Sequence, residues 1–242
     1  MSGPGGSESR LTPVVLLHAA GLTPQMWQAQ VEAIAAQAEP AQRPTQGAAV
    51  GAAQPAERQV MAPWIAGLRP GRPGELSLTG AAAQLVGTLD SYGIEQAILV
   101  GHQLGAMVAL QVAATEPERV AGLVLSGAMA APGRVALAMQ KGVIRMLPNR
   151  TLADSGASKA DLIKALDVIA SADFGKLEQV NTRALLIAGA NDPLLAATRQ
   201  LASRLPQARL VELSGAGPHP NVEQPDAYNR LLADFLAWTP PA

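Results

Sequence analysis

Ile98-Leu99-Val100-Gly101-His102-Gln103-Leu104-Gly105-Ala106-Met107-Val108-Ala109 decides how this chain is read. An aliphatic run feeds a Gly-x-x-x-Gly pentapeptide, and a helix-forming stretch follows. This is the strand–elbow–helix setting in which a G-x-S-x-G sequence presents a nucleophilic serine at a sharp turn. Position 103 holds glutamine instead. The amide nitrogen shares its lone pair with the carbonyl, so this side chain cannot attack an ester as an activated hydroxyl or thiol does. The frame for nucleophilic chemistry surrounds a residue that cannot perform it.

Outward from this segment, short aliphatic runs alternate with helical patterns. Strands are predicted at Pro13 to Leu17, Gln59 to Ala62, Gln96 to Val100, Val120 to Leu125, Ala184 to Ala188 and Arg209 to Leu213. Helices are predicted at 24–36, from Ser77 or Thr79 to Tyr92, and at 103–115, 135–146, 159–170, 194–205 and 227–238. Ser77 or Thr79 supplies a cap for the second of these, and Gly93 a left-handed stop. Such alternation implies an α/β domain whose parallel sheet is covered on both faces. The helical pair between Ser126 and Ala184 breaks the alternation. An excursion leaving the carboxyl end of a strand is expected to cover the ligand crevice, so 128–180 reads as a helical lid within a single domain spanning 1–242. The segment 38–57, rich in Ala, Gln, Pro and Gly without periodicity, reads as a flexible surface insertion.

Composition narrows the function. The 242 residues carry a formal net charge of −1, so no basic field draws the chain to nucleic acid or anionic lipid. Aromatic residues make up only 3% of the chain, so core and pocket are expected to be mainly aliphatic. Cysteine is absent, which removes disulfides, a thiol nucleophile and thiolate metal ligands. Met1 to Arg10 lacks the apolar region of a secretory signal, and no apolar run is long enough to span a bilayer. The expectation is a cytoplasmic protein with a small-molecule ligand, no nucleic-acid or membrane partner, and no cofactor. The histidines, three in all, do not form a metal-ligand spacing, so no metal is expected.

The order of these pieces resembles the α/β-hydrolase superfamily from Pro13 onward. Val14-Val15-Leu16-Leu17-His18-Ala19-Ala20-Gly21 is similar to the family's oxyanion-loop segment, and Met61-Ala62-Pro63 to the strand that usually ends A-P-D. Gly101 to Gly105 matches the nucleophile elbow. Gly189-Ala190-Asn191-Asp192-Pro193 resembles the loop that supplies the acid. Gly215-Ala216-Gly217-Pro218-His219-Pro220-Asn221-Val222-Glu223-Gln224-Pro225 resembles the loop that supplies the histidine. The resemblance implies a three-layer sandwich. Only about ten residues precede the first strand, so the opening hairpin is missing and about six mostly parallel strands are expected.

Within that frame the catalytic set is degenerate. Gln103 stands at the nucleophile position, and Pro218 at the histidine position, with His219 displaced by one. Trp64 replaces the aspartate that commonly follows the proline. Gln103 reads as a hydrogen-bonding group aimed into a pocket, or as a relic of lost catalysis. Asp192 reads as the carboxylate that orients a histidine, or as a turn residue. His219 reads equally as a base held by Asp192 or as a surface-loop histidine. The resemblance implies that the backbone N–H groups of Ala20 and Leu104 form an oxyanion hole. It also implies that His18 braces the oxyanion loop and His102 packs beside the elbow. Ser126 reads as a strand-end turn residue or a polar site contact, and Trp64 as pocket wall or packing.

The leading functional expectation is a hydrolase-fold protein without acyl-enzyme chemistry, binding a small carbonyl-bearing molecule. The alternatives are an active hydrolase or lyase using an Asp192–His219 general base with the oxyanion hole, and an interaction module that keeps only the scaffold.

Overall fold

Aliphatic strands without polar alternation must be covered on both faces, and the computed structural model of the chain shows how. It describes residues 11–38, 58–71, 74–129, 134–148, 158–172, 174 and 177–238. The strands are β1 (Val14–Leu17), β2 (Val60–Met61), β3 (Ala97–His102), β4 (Val120–Ser126), β5 (Ala184–Gly189) and β6 (Ala208–Leu213). They form one six-stranded sheet in the order β2-β1-β3-β4-β5-β6, and every neighbouring pair is parallel. The sheet size and strand direction match the expectation from sequence.

Alternate residues of the central strands face opposite layers. Val14, Leu16, Ile98, Val100, Val124 and Ile187 pack with Trp27 and Ile34, and with Tyr228, Leu232 and Phe235. Ile34 lies on α1 (Gln28–Ala38), which follows a tight turn at Pro24–Trp27. Val15, Leu17, Leu99, Leu123, Leu125 and Leu186 pack on the other side against α2 (Leu78–Ser91) and α3 (Leu104–Thr115), and against Leu201 of α6 (Leu195–Arg204). Each fully buried Leu, Ile or Val contributes about 1.5–3 kcal/mol relative to exposure, so a one-residue slip in any central strand would be prohibitive. Helix α3 is buried from Leu104 through Ala113, because it lies against the sheet and beneath α2. Ser77 caps α2 by accepting from the Gly80 N–H, and Gly93, with φ +64°, turns the chain out of that helix.

Between β4 and β5 run α4 (Arg134–Met146) and α5 (Lys159–Ala170), which pack on each other. A reciprocal Ser158–Asp161 capping box starts α5. Its Ala165 and Ile169 enter the core, and Leu162 lies against Gly21 in the loop after β1. The predicted 128–180 segment includes residues outside those described, namely 130–133, 149–157, 173, 175 and 176. The predicted insertion also lies outside them, except Ala38, which ends α1.

The described residues close with α7 (Pro220–Glu223), a short helix that periodicity does not reveal, and α8 (Pro225–Trp238), which carries Tyr228, Leu232 and Phe235. β2 lies on one side of β1 and β3 on the other, so the order reverses there and the connections diverge. Crevices at such reversals are where open α/β sheets bind ligands. Among the described residues no helix is long and apolar enough to cross a membrane.

Candidate active site

The elbow is built by close backbone approach. A Cβ at Gly105 would stand 2.0 Å from the Leu17 carbonyl oxygen, and one at Gly101 would stand 2.5 Å from the Ala106 nitrogen. Both positions require glycine, which lets the end of β1, the end of β3 and the start of α3 converge. Between them Gln103 adopts φ 48°, ψ −112°, and it is the one non-glycine residue with positive φ among the described residues. Such backbone costs on the order of 1–3 kcal/mol and persists only when its surroundings impose it. Here the Gln103 N–H donates to the Ser126 carbonyl at 2.8 Å, and the Gln103 carbonyl accepts from the Met107 N–H at 3.1 Å. The half-buried side chain folds over Gly127, where an added Cβ would lie 2.8 Å from Gln103 Cγ.

The loop after β1 is braced by a histidine with a defined tautomer. The Ile65 N–H donates to His18 Nε2 at 3.2 Å, so the ring proton sits on Nδ1 and is donated to the Ala19 carbonyl at 2.9 Å. Trp64 meets the His18 ring edge-on, with centroids 5.1 Å apart. Trp64 also lines a small, mainly apolar hollow with Leu17, Ile65, Ala81, Leu85 and Val108. Burial holds His18 below its ordinary pKa, so this brace is neutral. Ala20 follows it in the turn, and Leu104 opens α3, where the first N–H groups of a helix have no intrahelical acceptor.

Asp192 stands just beyond β5, in the loop leading to α6. Its Oδ1 accepts from the Leu194 N–H at 2.8 Å, while Oδ2 is buried without a hydrogen-bond partner among the described residues. Burial raises its pKa; the Leu194 N–H and His219 oppose that rise, and Glu223 adds to it. The His219–Asp192 hydrogen bond that one of the two readings of His219 called for is not found among the described residues. The His219 N–H donates to Glu223 Oε1 at 2.9 Å, and the Gly217 N–H donates to Glu223 Oε2. Pro218 and Pro220 flank the histidine, and Pro220 opens α7. From this loop the imidazole reaches His102, with Nδ1 lying 2.9 Å from His102 Nε2.

His102 is therefore more than a packing residue. It is fully buried at the end of β3, and its Nδ1 lies 3.0 Å from Ser126 Oγ. Ser126 Oγ also lies 3.3 Å from the Gly101 carbonyl, which can accept its proton. Burial, reinforced by the neighbouring His219, pushes the His102 imidazole down to about 3. The Tyr228 hydroxyl is buried beside Ser126; burial raises its pKa, and its interaction with the Ser126 hydroxyl opposes this. His219 is also held below its ordinary value, chiefly by burial, with Glu223 and Asp192 pulling the other way. Gln103, His102, Ser126 and His219 thus form one cluster at the carboxyl ends of β3 and β4. Asp192 acts on His219 only through its charge. Glu223, which holds the histidine loop, is the residue sequence reasoning did not single out. Its only signal was its place in the x-E-x-P portion of the loop motif.

The profile of the Alpha/beta hydrolase family matches residues 14–231. The chain belongs to the alpha/beta hydrolase family. It is 29% identical over 198 residues to the protein named Putative carbamate hydrolase RutD from Pseudomonas savastanoi pv. phaseolicola (strain 1448A / Race 6), covering 68% of this chain and 76% of that protein. Among solved structures it is similar to a hydrolase from Pseudomonas aeruginosa PA01, with TM-score 0.73, 21% identity, and coverage of 96% of this chain and 91% of that one. It is also similar to the enol-lactonase from Burkholderia xenovorans LB400, with TM-score 0.71, 19% identity, and coverage of 96% and 94%. At these identities the two structural likenesses establish the fold.

Proposed function

We propose that this alpha/beta hydrolase-fold protein binds a small carbonyl-bearing molecule and handles it without an acyl-enzyme. The observation that carries this reading is Gln103 at the tip of an intact elbow. The strained backbone that ordinarily exposes a nucleophile is kept, yet it presents a carboxamide with one acceptor oxygen and two donor hydrogens. Backbone N–H groups of Ala20 and Leu104 meet the ligand's carbonyl oxygen, and Gln103 adds an amide contact. Helices α4 and α5 act as the lid, with Leu162 resting on the Gly21 turn. The names of the carbamate hydrolase relative and the enol-lactonase neighbour support carbamates, lactones and esters as the ligand class. His219 Nδ1 pairs with His102, and Asp192 acts on the ring through its charge.

The test pairs a fluorophosphonate probe with a thermal-shift panel of short esters, lactones and carbamates. The expected result is no labelling of any serine, together with a raised melting temperature for at least one compound that Gln103→Ala diminishes. Labelling that a single serine substitution abolishes would overturn the reading.

A further inference from the structure

The hydrogen-bond chain behind the elbow can be protonated in two directions. Ser126 Oγ lies 3.3 Å from the Gly101 carbonyl, which can only accept, and 3.0 Å from His102 Nδ1, and its one proton serves one of them. With that proton on the Gly101 carbonyl, His102 carries its own on Nδ1 and its bare Nε2 accepts from His219 Nδ1–H; with it on His102 Nδ1, both imidazole protons move to Nε2. The first arrangement leaves the neutral His219 ring with its lone pair on Nε2. This is the tautomer that a carboxylate imposes on the histidine of a hydrolytic triad, imposed here by a neutral imidazole. The loop adds its own constraint, since Glu223 grips the N–H groups of both Gly217 and His219.

We infer that the chain takes this first arrangement, so that His219 is a general base whose orienting partner is the His102–Ser126 relay rather than Asp192, and that it drives direct attack of water on a bound carbonyl compound. This rests on the non-covalent reading of the site. His219 Nε2 takes a proton from water as the water oxygen forms a bond to the carbonyl carbon, and the carbonyl π pair moves onto its oxygen. When the intermediate collapses, the bond to the leaving group breaks and the imidazolium returns the proton to that alcohol or amine. An ester or carbamate and water yield an acid and the leaving group, and no bond to the protein forms. His102 and Ser126 act as positioning residues throughout. The groups facing His219 are the His102 ring, the Glu223 carboxylate on its own loop and the Asp192 carboxylate beyond β5.

The experiment is imidazole ¹⁵N NMR on the full chain, paired with p-nitrophenyl acetate hydrolysis. At neutral pH the Nδ1–H tautomer is expected for both His219 and His102, with both Nε2 atoms unprotonated. His102→Ala should mix the His219 tautomers and lower the rate at least tenfold. His102→Gln, whose amide oxygen can accept from Nδ1–H, should recover most of both. His219→Ala should abolish the enzyme-dependent rate. An Nε2–H tautomer of His219 in the wild type overturns the relay, and this readout needs no variant to fold. Hydrolysis that is absent, or unchanged in His219→Ala, overturns the catalytic role. Both outcomes differ from a covalent serine adduct, which would instead overturn the reading of the site on which this rests.

Discussion

Acidification from pH 7.5 to 5.0 tests the burial of His102 quantitatively. Its imidazole titrates near 6.5 in the unfolded chain and at about 3 in the folded one. The unfolded state therefore binds more protons as the pH falls through 6.5, and stability is lost over the window from 6.5 down to about 3. At pH 5.0 this linkage costs about 2 kcal/mol, against less than about 0.1 kcal/mol at pH 7.5. His18 and His219, both held below their ordinary values, shift stability in the same direction. Asp192 acts oppositely, because its raised pKa lets the folded state bind a proton first. These contributions persist in His102→Gln, which removes the titrating ring and keeps an acceptor for His219. Urea unfolding at the two pH values isolates the difference. The wild type should lose about 2 kcal/mol more than His102→Gln, roughly 1 M in midpoint at an m-value of about 2 kcal/mol/M. Equal losses in the two proteins would refute the argument that His102 is buried neutral.

Three further outcomes follow from particular contacts. Gly105→Ala should cost at least about 3 kcal/mol in urea unfolding, because its Cβ would stand 2.0 Å from the Leu17 carbonyl oxygen and 2.8 Å from that of His18, both backbone atoms; an unchanged midpoint would contradict that. Gln103→Gly should be neutral or raise stability by up to about 2 kcal/mol, since relief of positive-φ strain outweighs or offsets glycine's entropy; a loss above about 1 kcal/mol would count against strain at the elbow. Glu223→Ala should speed amide hydrogen exchange at Gly217 and His219 and destabilise by about 1 kcal/mol; unchanged exchange would show that the carboxylate does not hold the loop.

Strand and helix placement along the chain was readable because aliphatic runs and their glycine or serine boundaries respond to local rules. Ser77 and Gly93 sit where the sequence put the cap and the stop of α2. The elbow was readable for the same reason, since Gly101 and Gly105 mark backbone contacts that admit no Cβ. The wiring of the site was not readable, because it depends on direction rather than identity. Sequence showed His219 displaced by one position, but the side it faces is set by Pro218, Pro220 and the grip of Glu223 on two N–H groups. β3 and β4 also run further than their aliphatic cores suggested, to His102 and Ser126. That extension pairs the two residues across the strands and turns a packing histidine into a hydrogen-bonded relay.

Gln103 cannot form a covalent bond to an acyl group. Intact-protein mass spectrometry on rapidly quenched mixtures with p-nitrophenyl acetate examines it directly. The unmodified chain mass should persist at every time point while nitrophenol accumulates. A transient species heavier by one acetyl group, formed and discharged at the rate of turnover, would contradict it.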